Sequence, residues 1–234
     1  TSLSSAGGGL NTLSDIGIAF QKDGTLKLDA SKLNTVLADS TKDVSTLFAA
    51  VGKPTDSLVS FAGSTADTKN GAYALSVTQL ATQGKAVGGG AAVLTIGAGS
   101  NDSLNLTVDG VAASVTLAAG TYTAAALAAE LQSKINGVTA LSSAGIGVTV
   151  SQSAGVLTVT SNRYGSASTA IIAGGTAKAD LFGTQTETAG VDVAGSIGGN
   201  TASGSGQTLT GSGDSSGLAL KVTGGATGAR GSVS

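Results

Sequence analysis

Residues 104–117 read LNLTVDGVAASVTL. Leu104, Leu106 and Val108 alternate with polar residues, and Val111, Ala113, Val115 and Leu117 alternate beyond Asp109-Gly110. A period of two marks a strand with one buried face. Asp-Gly between two such runs predicts a two-residue type I′ turn with positive φ at both positions. That turn sets Val108 opposite Val111, and a slip of one residue would turn one apolar set outward. Downstream, Thr121 or Thr123 is placed to cap a helix in which Leu127, Leu131 and Ile135 recur every four residues, with Ala124 and Ala128 alongside. Glu130 and Lys134 stand one turn apart on its outer side, and Gly137 is read as the C′ stop. Ile146, Val148 and Val150 pair with Leu157 and Val159 across a loop containing Ala154-Gly155, and a further strand covers 170–172. Hairpin, helix and hairpin, with the helix on one face of an antiparallel sheet, give an α+β layer.

Upstream, residues 1–9 read as a flexible lead-in ending in Gly7-Gly8-Gly9. Ile16, Ile18 and Phe20 alternate, Lys22-Asp23-Gly24 turns the chain, and Leu26 and Leu28 return it as a hairpin. Asp29 stands as N-cap to a helix bearing Leu33, Val36 and Leu37. Ser40 and Asp43 have capping-box spacing, followed by Val44, Leu47 and Phe48. Gly52-Lys53-Pro54 ends this ββα module, since Pro54 cannot continue a helix. From Leu58 the period is two again: Tyr73, Leu75 and Val77 alternate, and Leu80 extends the run past a bulge. Beyond Phe182, strands are read at Val191 with Val193, at 207–209, and at Leu218, Leu220 and Val222.

The organisation expected is mainly β (α+β), in small antiparallel domains. Residues 1–53 form a partial ββα module. Residues 54–87 with 186–234 form one discontinuous β-domain, and 88–185 an inserted β-domain carrying one helix at about 123–136. Gly88–Gly90 and the stretch 183–189 are its expected hinge strands. The absence of an initiating Met and an end at 232–234 in strand-like sequence are read as marks of a central piece of a longer chain.

Composition narrows the chemistry. The chain has 234 residues, 37 glycines, a formal net charge of −2, and no Cys, His, Met or Trp. Without Cys there is no disulfide, thiolate nucleophile or Cys-ligated metal; without His the commonest general base is missing. A weakly acidic balance does not fit nucleic-acid binding, which needs a basic stripe. No run of 18 apolar residues offers a membrane helix, and residues 1–9 have neither the basic nor the apolar region of a signal peptide. The absence of Cys fits an oxidising exterior.

Five carboxylates lie near turns: Asp67, Asp102, Asp109, Asp192 and Asp214. A carboxylate pair can hydrolyse glycosides, but turn chemistry accounts for Asp102 and Asp109, because Asx side chains bond their own backbone. Asn101, Asp102 and Asp109 are candidate oxygen ligands for calcium, without EF-hand spacing. Gly195–Gly199 reads as a turn, 211–217 as a loop, and 224–231 as a polar loop, in preference to an anion contact at Arg230. Arg163-Tyr164 reads either as an exposed contact point or as a strand end. No catalytic, cofactor-binding or metal site is assigned.

Several segments together resemble one family. Residues 13–48 (LSDIGIAFQKDGTLKLDASKLNTVLADSTKDVSTLF), 71–83 (GAYALSVTQLATQ), 190–199 (GVDVAGSIGG) and 222–233 (VTGGATGARGSV) look like elements of the flagellar filament cap family, also called flagellar hook-associated protein 2. Residues 104–136 resemble its flagellin hook IN motif. The resemblance implies a non-enzymatic extracellular protein at the distal tip of the bacterial flagellum. It implies self-association into a homo-oligomeric cap, flagellin as partner, and host mucin as a contact of some members. It also implies long helices at both ends, of which this chain carries no heptad run. The isolated chain is then expected to be mainly monomeric in dilute solution. The competing reading is an adhesin-type β-module that binds glycan or mucin.

Overall fold

Asp29 caps the first helix: its side chain accepts a hydrogen bond from the Lys32 N–H at 3.0 Å. The computed structural model describes residues 10, 12–39, 44 and 52–234. In the first of these stretches a 3₁₀ turn, Leu13–Ile16, leads into β1 (Ile18–Phe20), β2 (Leu26–Leu28) and α1 (Ala30–Ala38). β1 and β2 pair antiparallel, with Ile18 opposite Leu28 and Phe20 opposite Leu26. Ile16 does not open the strand as its alternation implies. It ends the 3₁₀ turn, which Gly17 closes at φ +88, and packs with Leu10 and Val36 in a small core. The Ser40/Asp43 box, Leu47, Phe48 and the lead-in 1–9 lie outside the described residues.

Lys53 and Thr55 donate backbone hydrogen bonds to the Ser234 and Ser232 carbonyls, each at 2.9 Å, and Pro54 bridges Val233 between them. Antiparallel pairing alternates bonded with unbonded positions, so the missing N–H of Pro54 costs nothing here. The chain then forms β3 (Val59–Gly63) and β4 (Tyr73–Gln79). β4 ends at Gln79, and Leu80 packs on the core beyond it.

Next come β5 (Lys85–Val87), β6 (Thr95–Ile96), β7 (Ser103–Val108), β8 (Val111–Thr116), β9 (Gly120–Thr121), α2 (Ala124–Asn136), α3 (Thr139–Ser143), β10 (Val148–Ser153), β11 (Val156–Ser161), β12 (Ala170–Gly174), α4 (Lys178–Leu181) and β13 (Thr186–Thr188). They make sheets of order β10-β11-β5-β13 and β12-β7-β8, with β6 and β9 paired apart. The Asp109-Gly110 turn has φ +50 and +84, and Val108 stands opposite Val111. Thr123 caps α2, accepting from the Ala126 N–H at 3.2 Å. Leu127, Leu131 and Ile135 are wholly buried, in one core with Leu104, Leu106, Leu157 and Phe182. Burial of each such side chain contributes about 1.5–3 kcal/mol.

Gly137 is not a left-handed stop. Its φ is −78, and α2 ends because Val138 is extended and serves as N-cap to α3. The left-handed cap belongs to Gly145 at φ +67. The Ile146 N–H bonds the Leu141 carbonyl and the Gly145 N–H bonds that of Ser142, which is a Schellman motif. Ile146 is therefore the residue after that cap, and the strand begins at Val148. Ala154-Gly155 joins β10 to β11 with φ +50 and +82, a second type I′ turn.

The chain returns as β14 (Ala194–Ile197), β15 (Asn200–Ser205), β16 (Thr208–Thr210), β17 (Ala219–Val222) and β18 (Gly228–Val233). With β3 and β4 these form one sheet of order β18-β4-β14-β15-β16-β17-β3. A flat sheet of this order would hold its edges about 29 Å apart at 4.8 Å per strand. The chain passes from Thr55, beside β18, to Val59 at the start of β3. Those four residues reach at most about 14 Å, so the sheet curls around one interior, filled by Val59, Leu75, Val77, Ile197, Leu209, Leu220 and Val233. Two readings change here. Val191 and Val193 precede the strand instead of forming it. Residues 195–197 of the supposed Gly195–Gly199 turn are strand, with only Gly198 and Gly199 at the bend. The described chain is mostly β in several antiparallel sheets, and among the described residues no helix is long and apolar enough to cross a membrane.

Candidate functional site at the crossing between the two cores

The main-chain paths between the curled sheet and the α2-covered sheets meet at Thr82 and at 190–193. The Thr82 N–H donates to the Val191 carbonyl at 2.9 Å, its hydroxyl accepts from the Val191 N–H at 3.1 Å, and its carbonyl accepts from the Gly165 N–H at 2.9 Å. Beside it, Asp192 gathers three donors. Oδ1 accepts from the Ser166 N–H at 3.1 Å and the Gly206 N–H at 2.6 Å, and Oδ2 from the Ser166 hydroxyl at 2.6 Å. These hydrogen bonds, the Ser166 hydroxyl foremost, hold the Asp192 carboxyl below its ordinary value. Gln79 donates to the Asp192 carbonyl at 2.8 Å.

This packing leaves no space for side chains at the glycines around it. A Cβ on Gly190 would overlap the Gly165 and Thr82 carbonyl oxygens; one on Gly204 would overlap the Val193 carbonyl oxygen. The segments TQLATQ and GVDVAG, more than a hundred residues apart in the chain, therefore meet as two sides of one clasp. Arg163-Tyr164 leads into it, since Gly165 and Ser166 follow directly. Gly88 and Gly89, expected at a loose joint, donate to the Leu157 and Phe182 carbonyls at 2.9 and 2.8 Å.

A second polar fixture lies where the chain enters the curled sheet. Arg230 is buried on β18, not exposed in a polar loop. Its Nε pairs with Asp56, and its Nη1 donates to the Gly224 and Ala226 carbonyls at 2.7 and 3.1 Å. The loop 224–228 thus wraps its own guanidinium. That bond to Arg230 lowers the Asp56 carboxyl, and the same bond raises Arg230.

The other carboxylates stay apart. Asp102 and Asp109 flank β7, a six-residue strand about 20 Å long. Asp102 accepts from the Gly99 N–H at 2.7 Å, the local turn expected of it. Asp109 does more than turn: it accepts from Ser161 at 2.9 Å and from the Thr169 N–H at 2.8 Å, tying its own hairpin to the end of β11 and to the start of β12. No sequence signal near Asp109 points to those partners. Asn101 donates to Asp180 at 2.7 Å, away from Asp109, so the calcium trio is not brought together. Asp214 pairs with Lys69 in solvent, and Asp67 is exposed. Among the described residues no three His, Cys, Asp or Glu side chains gather as a metal site. A shallow hollow of about 370 Å³ on the outer face of β7 and β8 is lined by Asn105, Thr107, Ala112, Ser114 and Ala173, none of which titrates.

Residues 1–88 match the family described as flagellar hook-associated protein 2 C-terminus. No curated protein matches the chain. Among solved structures, the D2-D3 domains of the Escherichia coli flagellar cap protein FliD are 17% identical with a TM-score of 0.49, covering 78% of this chain and 96% of that one. The D1-D2-D3 form from the same organism is 18% identical with a TM-score of 0.48, covering 86% and 58%. FliD (HAP2) of Pseudomonas aeruginosa is 16% identical with a TM-score of 0.43, covering 76% and 82%.

Proposed function

We propose that this chain is the head region of a flagellar filament cap, a non-enzymatic structural part at the distal tip. The family match over residues 1–88 carries the reading. The clasp agrees with it, because resembling segments from both ends of the chain converge there as a structural joint. The proposed mechanism is positional: two tightly joined β-cores form a plate, the whole protein self-associates, and flagellin subunits are guided into the filament beneath it. The division proposed is a curled-sheet domain interrupted between Thr82 and Val191 by the α2-bearing domain, with the partial ββα module of 1–53 below.

Deleting the parent gene from its bacterium tests this. Filaments should be lost and flagellin should accumulate unassembled in the medium, with restoration by the full gene. Normal filaments in the deletion strain would overturn the proposal.

A further inference from the structure

Asparagine is a chemically labile side chain, and most so ahead of glycine. The glycine nitrogen attacks the asparagine side-chain carbonyl, because no Cβ restricts the backbone rotation that the approach needs. The reacting atoms must come within about 3–3.5 Å, so hydrogen bonds that hold either one elsewhere suppress the reaction. Aspartate ahead of glycine closes the same ring by losing water. The chain holds four pairs of these kinds: Asp23-Gly24, Asn70-Gly71, Asp109-Gly110 and Asn136-Gly137.

Three of the four are held. Asp23 accepts from the Thr25 N–H at 3.0 Å and the Thr25 hydroxyl at 2.7 Å. Asp109 is bonded to Ser161 and Thr169. Asn136 accepts from the Val148 N–H at 2.8 Å and donates to its carbonyl at 2.9 Å, while the Gly137 N–H donates to the Ser133 carbonyl at 2.9 Å. Asn70 differs. It and Gly71 are exposed, and among the described residues neither the Asn70 side chain nor the Gly71 N–H has a hydrogen-bond partner. The pair lies in the connection from β3 to β4, which is anchored on either side of it. The Thr68 hydroxyl donates to the Ser216 carbonyl at 2.6 Å, the Lys69 N–H donates to the Asp214 carbonyl at 3.0 Å, and the Tyr73 hydroxyl lies 2.8 Å from that same carbonyl.

We propose that Asn70 is a spontaneous modification site, at which the folded chain deamidates through a succinimide shared with Gly71. The Gly71 nitrogen bonds to Asn70 Cγ and gives up its proton, and the side-chain nitrogen leaves as ammonia. Water then opens the ring at one of its two carbonyls, giving aspartate or isoaspartate, and no oxidant or cofactor takes part. Either product lowers the formal net charge of −2 by one unit. It also sets a carboxylate beside Lys69, whose ammonium pairs with Asp214 at 2.5 Å. Isoaspartate further adds one carbon to the main chain between Lys69 and Gly71, inside the anchored connection. The inference stands apart from the functional reading above.

Warm incubation of the whole chain in mildly alkaline buffer, followed by peptide mass spectrometry, tests this. In the folded chain Asn70 should convert roughly tenfold faster than Asn136, whose reacting groups are held apart. In urea the two should convert alike, since both are then free Asn-Gly pairs. An isoaspartyl methyltransferase with S-adenosylmethionine should label the incubated folded chain at residue 70, and Asn70→Gln should abolish that label, because glutamine would have to close a larger ring. Gly71→Ala should fold normally: a Cβ there meets only the Tyr73 ring, at 3.7 Å, and φ is not left-handed. It should slow conversion at Asn70 roughly tenfold, by restricting the backbone. Equal rates at Asn70 and Asn136 in the folded chain would overturn the proposal. So would an Asn70 that converts only in urea.

Discussion

The Asp192 carboxylate binds Ser166 twice, through its backbone N–H at 3.1 Å and its hydroxyl at 2.6 Å. Ser166 follows β11, whose side chains pack in the α2-covered core, whereas Asp192 leads directly into β14 of the curled sheet. Removing the carboxylate should uncouple the two. Asp192→Ala is expected to split a single calorimetric unfolding transition into two, with Ser166→Ala giving a weaker form of the same change. One unshifted transition in both variants would contradict this role.

The glycines at the clasp should resist substitution for a steric reason. Gly204→Ala and Gly190→Ala each drive a Cβ into a backbone carbonyl oxygen. A loss of about 3 kcal/mol is expected from forced backbone shifts of this kind. Gly224→Ala, where a Cβ would meet nothing within 4 Å and φ is not positive, should be nearly silent. Urea unfolding of the three variants gives the comparison.

Ala154 holds φ +50, a conformation that costs an alanine roughly 1 kcal/mol. Asn fits the first position of a type I′ turn. Ala154→Asn should therefore stabilise the chain by about 0.5–1 kcal/mol in denaturant unfolding.

Acid should weaken the fold through Asp56 and Asp192, both held below the ordinary 3.8. A depressed carboxyl stabilises the native state at pH values above its unfolded value. That contribution fades as pH falls through the folded value. The melting temperature should be flat from neutral pH to about 5 and fall below about 4. Asp192→Ala should reduce the slope of that acid fall.

Arg230 and Asp56 should behave as a pair. Asp56→Ala leaves a buried guanidinium without its counter-charge, so it is expected to lower the melting temperature more than the double change Asp56→Ala/Arg230→Met does. An additive double variant would show that the two residues act independently.

Where local chemistry decides structure, the chain was readable. Asp109-Gly110 needed only its own turn residues and two alternating strands, and Thr123 and Asp29 needed only a hydroxyl or carboxylate ahead of a periodic apolar stripe. Gly137 and Gly145 show the limit. Both follow helical sequence, and only the extended conformation of Val138 decides which is left-handed. Val191 and Val193 alternate like a strand, but the chain spends those residues crossing between cores. The clasp itself was unreadable, because Thr82, Ser166, Asp192 and Gly206 carry no common spacing. Arg230 reads as exposed because its glycine-rich surroundings look like a loop; the charge of Asp56, distant in sequence, holds it inside.

The central claim is the place of this protein at the filament tip. Immunogold electron microscopy of the source bacterium, with antibody raised against this chain, measures that directly. The account predicts gold at the distal ends of filaments. Gold spread over the cell surface, or along the full length of filaments, would contradict it.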